Sequence, residues 1–256
     1  MQRWLMIVVV VLLAAAALLD VTGVVPGAGM LAIPFLVLLA AALYMVRTIR
    51  SPREATAAAD LYVPLEDAST AQLDLKFGAG ELALTADAPD GVLLAGHLIG
   101  AAQPRVQRQD STAAIRLRQP FSLGRRHAHW RLALSPAVRW QEVRLAVGAA
   151  DVQLALSALE VGALVLESGA STLTATLPRA GEVLLEMSGG RVTLRIPADA
   201  AAVVTNRIKL GEVIIDEAHF APDAARVHWT TPGVTDAPLH VTLSGGLGTV
   251  EVVRAD

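Results

Sequence analysis

The sequence predicts an all-β fold, a β-solenoid-like stacked domain preceded by a two-helix transmembrane hairpin. Three observations predict it. Two uncharged apolar runs, "WLMIVVVVLLAAAALL" and Met30 to Val46, open the chain. From about residue 71 apolar and polar residues alternate with the period of half-buried strands. Small residues then recur about every twenty positions, just ahead of a Leu or Val.

The hairpin is assigned to residues 1–46, with helices over about 4–19 and 30–46. Each run is close to the roughly 20 residues that cross about 30 Å of hydrocarbon. "VTGVVPGAG" forms the loop between them, and Pro34 is tolerated as a kink. Arg3 flanks one end and Arg47, Arg50 and Arg53 the other, while the loop region carries only Asp20. The positive-inside rule therefore places both ends, and with them the β domain, in the cytoplasm, with the lipid bilayer as partner of the hairpin. Trp4 and Tyr44 then share one interface, where amphipathic rings settle. A cleaved signal peptide is the competing reading of the first run, but it leaves the second as a membrane segment.

Residues 47–69 read as a linker, with helical character over "PREATAAAD" behind Ser51 as cap. The β domain is assigned to residues 70–256. Its small-residue corners align at Gly80, Ala150, Ser171, Gly190, Gly211 and Gly248, each two positions before Leu82, Val152, Leu173, Val192, Val213 and Val250. Within the central group the intervals are 21, 19 and 21 residues. One such repeat is one coil with two strands and two corners. Its apolar side is buried only when the next coil covers it, and small residues recur where backbones turn or pack closely. A leucine-rich repeat would want an Asn ladder, and the chain has only Asn206. A β-sandwich accounts for short strands but not for the 21-residue recurrence. The less regular flanks, 71–140 and 218–256, read as end caps.

Chemistry-bearing patterns are sparse. There is no cysteine, which excludes disulfides, thiolate metal sites and lipoprotein attachment. His127 and His129 stand two apart, but Arg125, Arg126 and Arg131 surround them and would repel a cation, so no metal is expected. "GAGE" and "SGGLG" lack the Lys-Ser/Thr of a phosphate loop. "ESGAS" and "MSGGR" read as corners rather than nucleophile elbows. Two Tyr, four Phe and four Trp are too few to line a sugar cleft. No cofactor and no catalytic residue is assigned, and a non-enzymatic role is expected.

Charge is segregated. Residues 105–144 hold nine arginines (105, 108, 116, 118, 125, 126, 131, 139 and 144) against Asp110 and Glu142. Residues 145–256 hold thirteen acids against seven bases. Arg116, Arg118, Arg125, Arg126 and Arg131 are candidate contacts for acidic headgroups or an acidic partner, the alternative being a solvated strand face. Nucleic acid fits poorly, because the domain as a whole is acidic and lacks interleaved aromatics.

"LDLKFGAGELAL", "RWQEVRLAVGAADVQLALSALEVGALVLESGASTLTATLP", "GGRVTLRIP" and "VTLSGGLGTVEV" together resemble the C-terminal toast-rack domain of LiaF-like bacterial envelope-stress proteins, over about residues 70 to 254. The resemblance implies a membrane-anchored regulator that tunes a sensor kinase or another envelope-stress protein at the bacterial cytoplasmic membrane. The chain departs from that pattern in showing two apolar runs where four helices are usual. The alternative of a different class is a structural or adhesin-like scaffold, a bactofilin-like polymer of stacked coils. The charged closing segment "VEVVRAD", taken as the end of the stack, weighs against polymerisation.

Overall fold

The computed structural model describes residues 58–100, 102, 104–119, 128–232 and 238–255. The two expected membrane helices lie outside the described residues. Among the described residues no helix is long and apolar enough to cross a membrane. They form strands: β1 (Ala58–Pro64), β2 (Thr70–Thr85), β3 (Val92–Ile99), β4 (Arg105–Gln109), β5 (Thr112–Arg118), β6 (Ala128–Leu134), β7 (Arg139–Ala155), β8 (Glu160–Thr176), β9 (Gly181–Ile196), β10 (Ala202–Ile208), β11 (Glu212–Ile215), β12 (Ala221–Pro222), β13 (His228–Thr230), β14 (Leu239–Gly245) and β15 (Thr249–Arg254).

Four long strands, β2, β7, β8 and β9, pair in parallel, in that order. Each is two half-strands joined at a corner. In β7 the inward positions are Val143, Leu145 and Val147 before Gly148, but Ala150, Val152 and Leu154 after it. The alternation slips by one residue there, which keeps both halves facing the interior while the chain turns. The same slip separates Leu73, Leu75 and Phe77 from Leu82 and Leu84 in β2, and Val183, Leu185 and Met187 from Val192, Leu194 and Ile196 in β9. Two sheets result, stacked face to face around one apolar interior.

In-register ladders fill that interior. On one side Ile115, Leu73, Val143, Leu164, Val183, Val241 and Val204 follow one another across seven strands. On the other side the ladder runs Trp130, Leu82, Val152, Leu173, Val192, Val250 and Val213. All of these are buried except Val213, at the last strand, which packs against the core from its margin. Each fully buried aliphatic contributes about 1.5–3 kcal/mol relative to exposure, so the ladder is what holds coil to coil.

The corner column has a steric reason. At Gly80 φ is 125°, and a Cβ would stand 2.1 Å from the Ala128 carbonyl oxygen. At Gly190 φ is 84°, with the Ser171 oxygen 2.1 Å from the same point. Ala150 pairs with Gly80, and Ser171 with Gly190, in the register of the strands. Inside this corner the Ser168 and Ser171 hydroxyls bond each other at 2.6 Å, both buried.

Three expectations need correction. β1 lies inside the segment assigned to the linker, so "AAD" at its start is strand rather than helix: Ala58 pairs with Ile99, which supplies backbone partners that an isolated helix would lack. The segment 218–256 is not an end cap. Its β14 lies between β9 and β10, and its β15 between β9 and β11. In the corner column Gly248 is consequently the neighbour of Gly190, and Gly211 stands outermost, beyond Gly248. The segment 71–140 is likewise only partly a cap, since β2 is central. At three of the four sheet ends the pairing is antiparallel: β1 and β3 on one sheet with β4 on the other, and β12 and β13 beside β10; the fourth end is β11, four residues long and parallel to β15. Short strands close the stack at these ends, which limits the exposed pairing edge.

Candidate functional surfaces

The alternation that buries one set of side chains exposes the other in equally regular rows. On the sheet built from the first half-strands one outward row runs Arg105, Arg116, Asp74, Arg144, Val165, Leu184, Thr242 and Thr205. The row beside it runs Lys76, Ala146, Glu167, Glu186, Ser244 and Arg207. This face is therefore basic at the β4 end and acidic in its middle. The opposite face mixes hydroxyls with scattered charge: Thr172, Thr174 and Thr176 on β8 and Thr193 on β9 stand among Asp151, Arg191 and Arg195.

The candidate arginines do not form one cluster. Arg116 and Arg118 lie on β5 of the charged face, whereas Arg131 lies on β6, between His97 of β3 and Ala83 of β2, on the opposite face. Arg125 and Arg126 lie outside the described residues. Arg118 approaches Asp74 at 3.7 Å, and Arg144 pairs with Glu142 at 3.1 Å. Arg108 reaches across the end of the stack, donating from Nη2 to the Pro64 carbonyl and from Nη1 to that of Leu65 at 3.3 Å, with Glu66 3.4 Å away. It ties β4 of one sheet to the end of β1 on the other. The whole of β4 is exposed, and beside it a shallow depression is lined by Gln72, Gln107, Arg108, Gln109, Asp110 and Thr112.

Sequence reasoning left Arg105, Arg108 and Asp74 out of the candidate contacts. A signal for the two arginines exists: "RVQRQDSTAAIRLR" is two short runs about Asp110, whose φ of 51° makes the turn. Once the hairpin is recognised, Arg105 faces Arg116.

Several other ionisable groups serve structural contacts. His129 Nδ1 meets Glu81 Oε2 at 2.8 Å, and His97 Nδ1 meets Asp60 Oδ1 at 2.7 Å. His127 lies outside the described residues, and among the described residues no three His, Cys, Asp or Glu converge as metal ligands. At the far end a hydrogen bond from His219, helped by the Ala218 N–H, holds the Asp216 carboxyl below its ordinary range. The Val227 and His228 N–H groups do the same for Asp223. The Arg179 guanidinium lowers Asp199. Buried hydroxyls are also occupied in the fold: Ser135 Oγ accepts from the Ala137 N–H, and Thr231 Oγ1 accepts from the Ala202 N–H at 2.8 Å.

Parallel two-sided coils with small-residue corners match a known family. Its description is the N-terminal domain of toast_rack, DUF2154, and the match covers residues 51–196, more than half of the 256-residue chain. The chain belongs to the toast-rack family. The matched part of this toast-rack protein ends with β9, so β10 to β15, including the two interleaved C-terminal strands, lie beyond it. A crystal structure of a candidate cell adhesion protein from Clostridium sporogenes superposes with a TM-score of 0.69 at 17% identity, over 78% of this chain and 99% of that one. At that identity the likeness is one of fold. A candidate adhesin from Bacteroides fragilis aligns with a TM-score of 0.29 at 10% identity, over 78% of this chain and 98% of its own. No curated protein matches the chain at a significant level.

Proposed function

We propose that this toast-rack protein is a membrane-anchored, non-enzymatic interaction module that regulates bacterial cell-envelope stress signalling in the manner of LiaF-like proteins. The observation that carries the reading is the charge-segregated outward face. Rigid parallel ladders hold Arg116, Asp74 and Arg144 at one end and Glu167 and Glu186 in the middle at fixed spacing. Such a surface presents oriented charge to a protein partner at little entropic cost, because the side chains already stand on ordered backbone. The apolar runs of residues 4–19 and 30–46 supply the anchor, and the arginines around them favour a cytoplasmic β domain. A sensor kinase or another envelope-stress protein is the partner that the LiaF resemblance names.

The test is cross-linking in intact bacterial membranes from a photoreactive residue at Glu186. The reading expects recovery of a membrane kinase or envelope-stress component; recovery of neither removes the signalling role. Sidedness is measured separately. The chain lacks native cysteine, so one cysteine at exposed Leu210 is probed with a membrane-impermeant maleimide. Labelling only after lysis supports the cytoplasmic placement, and labelling of intact cells reverses it.

A second reading, an adhesin-like or polymeric β scaffold, draws on the fold shared with the candidate cell adhesion protein. The charged segment after Val250 does not oppose it, because β15 is interior. What opposes polymerisation is Arg105 and Arg108 on the exposed edge strand β4, since charge on an edge disfavours strand addition. Filaments of the purified protein in the electron microscope would restore it.

A further inference from the structure

We infer that the β4–β5 hairpin is an electrostatic foot by which the stacked domain docks on the anionic lipid headgroups of the membrane that anchors the chain. The inference deepens the proposed function and rests on its reading of the apolar runs as a membrane anchor. Arg105 and Arg116 are direct antiparallel partners, so their side chains leave the same face side by side. Like charges directly opposite on paired strands destabilise a hairpin. Neither arginine has an acid within salt-bridge distance among the described residues, and the adjoining segment 120–127, "PFSLGRRH", holds no acid either, only two more arginines. Edge protection alone is served by Arg105 and Arg108 and does not call for a third arginine opposite the first. The one acid in that row, Asp74, stands opposite Arg116 but approaches Arg118, at 3.7 Å, so three arginines share a single carboxylate and the net positive charge on an exposed hairpin is accounted for by an anion outside the protein.

The chain itself says which anion. β1 and β4 are the terminal strands of the two sheets and lie at the same end of the stack, since β3, β5 and β6 all lie on one side of β2. Ala58, where β1 begins, pairs with Ile99, only six positions before Arg105. Ten residues separate Arg47, at the end of the second apolar run, from Ala58. At full extension they span about 35 Å, and less in any relaxed form, so the arginine pair stays within tether range of a bilayer surface. Anionic leaflets draw in basic groups held this close, about fivefold in local equilibrium for each arginine.

The experiment uses the full chain in proteoliposomes, with a fluorescent donor on a cysteine at exposed Gln107 and an acceptor on the headgroups. A second preparation carries the donor at Leu210, in the corner between β10 and β11 at the other end of the stack. Docking expects energy transfer from position 107 to rise when phosphatidylglycerol is added to phosphatidylcholine vesicles, while transfer from 210 does not. The rise should be lost in the double variant Arg105→Ala/Arg116→Ala, and at high salt, which screens exposed charge. Equal transfer in both lipids, a rise from both positions, or a rise that survives the double variant overturns the inference while leaving the anchor intact. Loss of a transfer signal between two labelled copies in neutral vesicles on the same substitution would reassign the pair to self-association, and so also overturns it. Failure of the chain to float with neutral vesicles after an alkaline wash removes the anchor reading and docking together.

Discussion

At the scale of single residues, the corners carry the sharpest expectations. Gly190→Ala places a Cβ against the Ser171 oxygen in a backbone conformation that L residues avoid, and is expected to cost more than about 1 kcal/mol in urea unfolding. Gly246→Ala meets nothing within 4 Å and should stay within about 0.5 kcal/mol of the parent. The pair separates a close-approach glycine from one that merely sits in a loop. In the same corner, Ser168→Ala or Ser171→Ala alone strands a buried hydroxyl, at about 1–3 kcal/mol, whereas the double variant removes both partners and should recover much of it. A double-mutant cycle reads this directly, and additive losses would show that the hydroxyls do not depend on each other.

At the scale of elements, the long strands and the end hairpins differ in what holds them. Leu166, fully buried in the middle of β8 and flanked by Leu145 and Leu185 in register, is a site where Leu→Ala is expected to cost about 2–5 kcal/mol, because both neighbours are fixed and cannot collapse into the void. The far end depends more on local polar contacts. Asp216 and Asp223 are lowered below the ordinary 3.8 by His219 and by the Val227 and His228 N–H groups, respectively. A carboxylate depressed in the folded state stabilises the fold at pH values above its unfolded pKa, and that stabilisation disappears as pH falls through the folded one. Acidification below about pH 4 should therefore loosen the segment from β11 to β13 before the central coils, seen as early loss of amide-exchange protection at Val227 and His228. Simultaneous loss of protection across β7 to β9 would refute the ordering.

At the scale of the whole molecule, contacts in a stack are made with the next coil, so stability is approximately a sum over neighbouring coils. Duplicating residues 160–180, one complete coil from the start of β8 to the turn before β9, should give a folded, longer stack. The new copy of β8 meets Val183 and Leu185 through the same ladder positions as the old. A circular dichroism spectrum of native shape and an undiminished melting temperature would be the expected result. An unfolded product would mean that the interleaved β14 and β15 demand one fixed number of coils.

The local sequence determined which side of each strand is buried, because alternation alone sorts Leu73, Leu75 and Phe77 inward and Gln72, Asp74 and Lys76 outward. It also determined the corner column over Ala150, Ser171 and Gly190, since coils of nearly equal length bring equivalent positions into register, whereas Gly80 joins that column through the pairing of β2 with β7. Tertiary structure decided the order of the coils. Nothing local distinguishes the coil face that receives Val213 from the one that receives Val250, for both are Val two positions after Gly. Burial chose, by inserting β15 beside β9 and leaving β11 at the margin. The arginines divided for the same reason. The short strands β5 and β6 both pair with β2, one with each half, so Arg116 and Arg131 part to opposite faces although they stand fifteen positions apart in one basic run. Long-range parallel pairing is set by which ladders bury the most apolar surface together, and that is a property of the assembled stack rather than of any stretch of the chain.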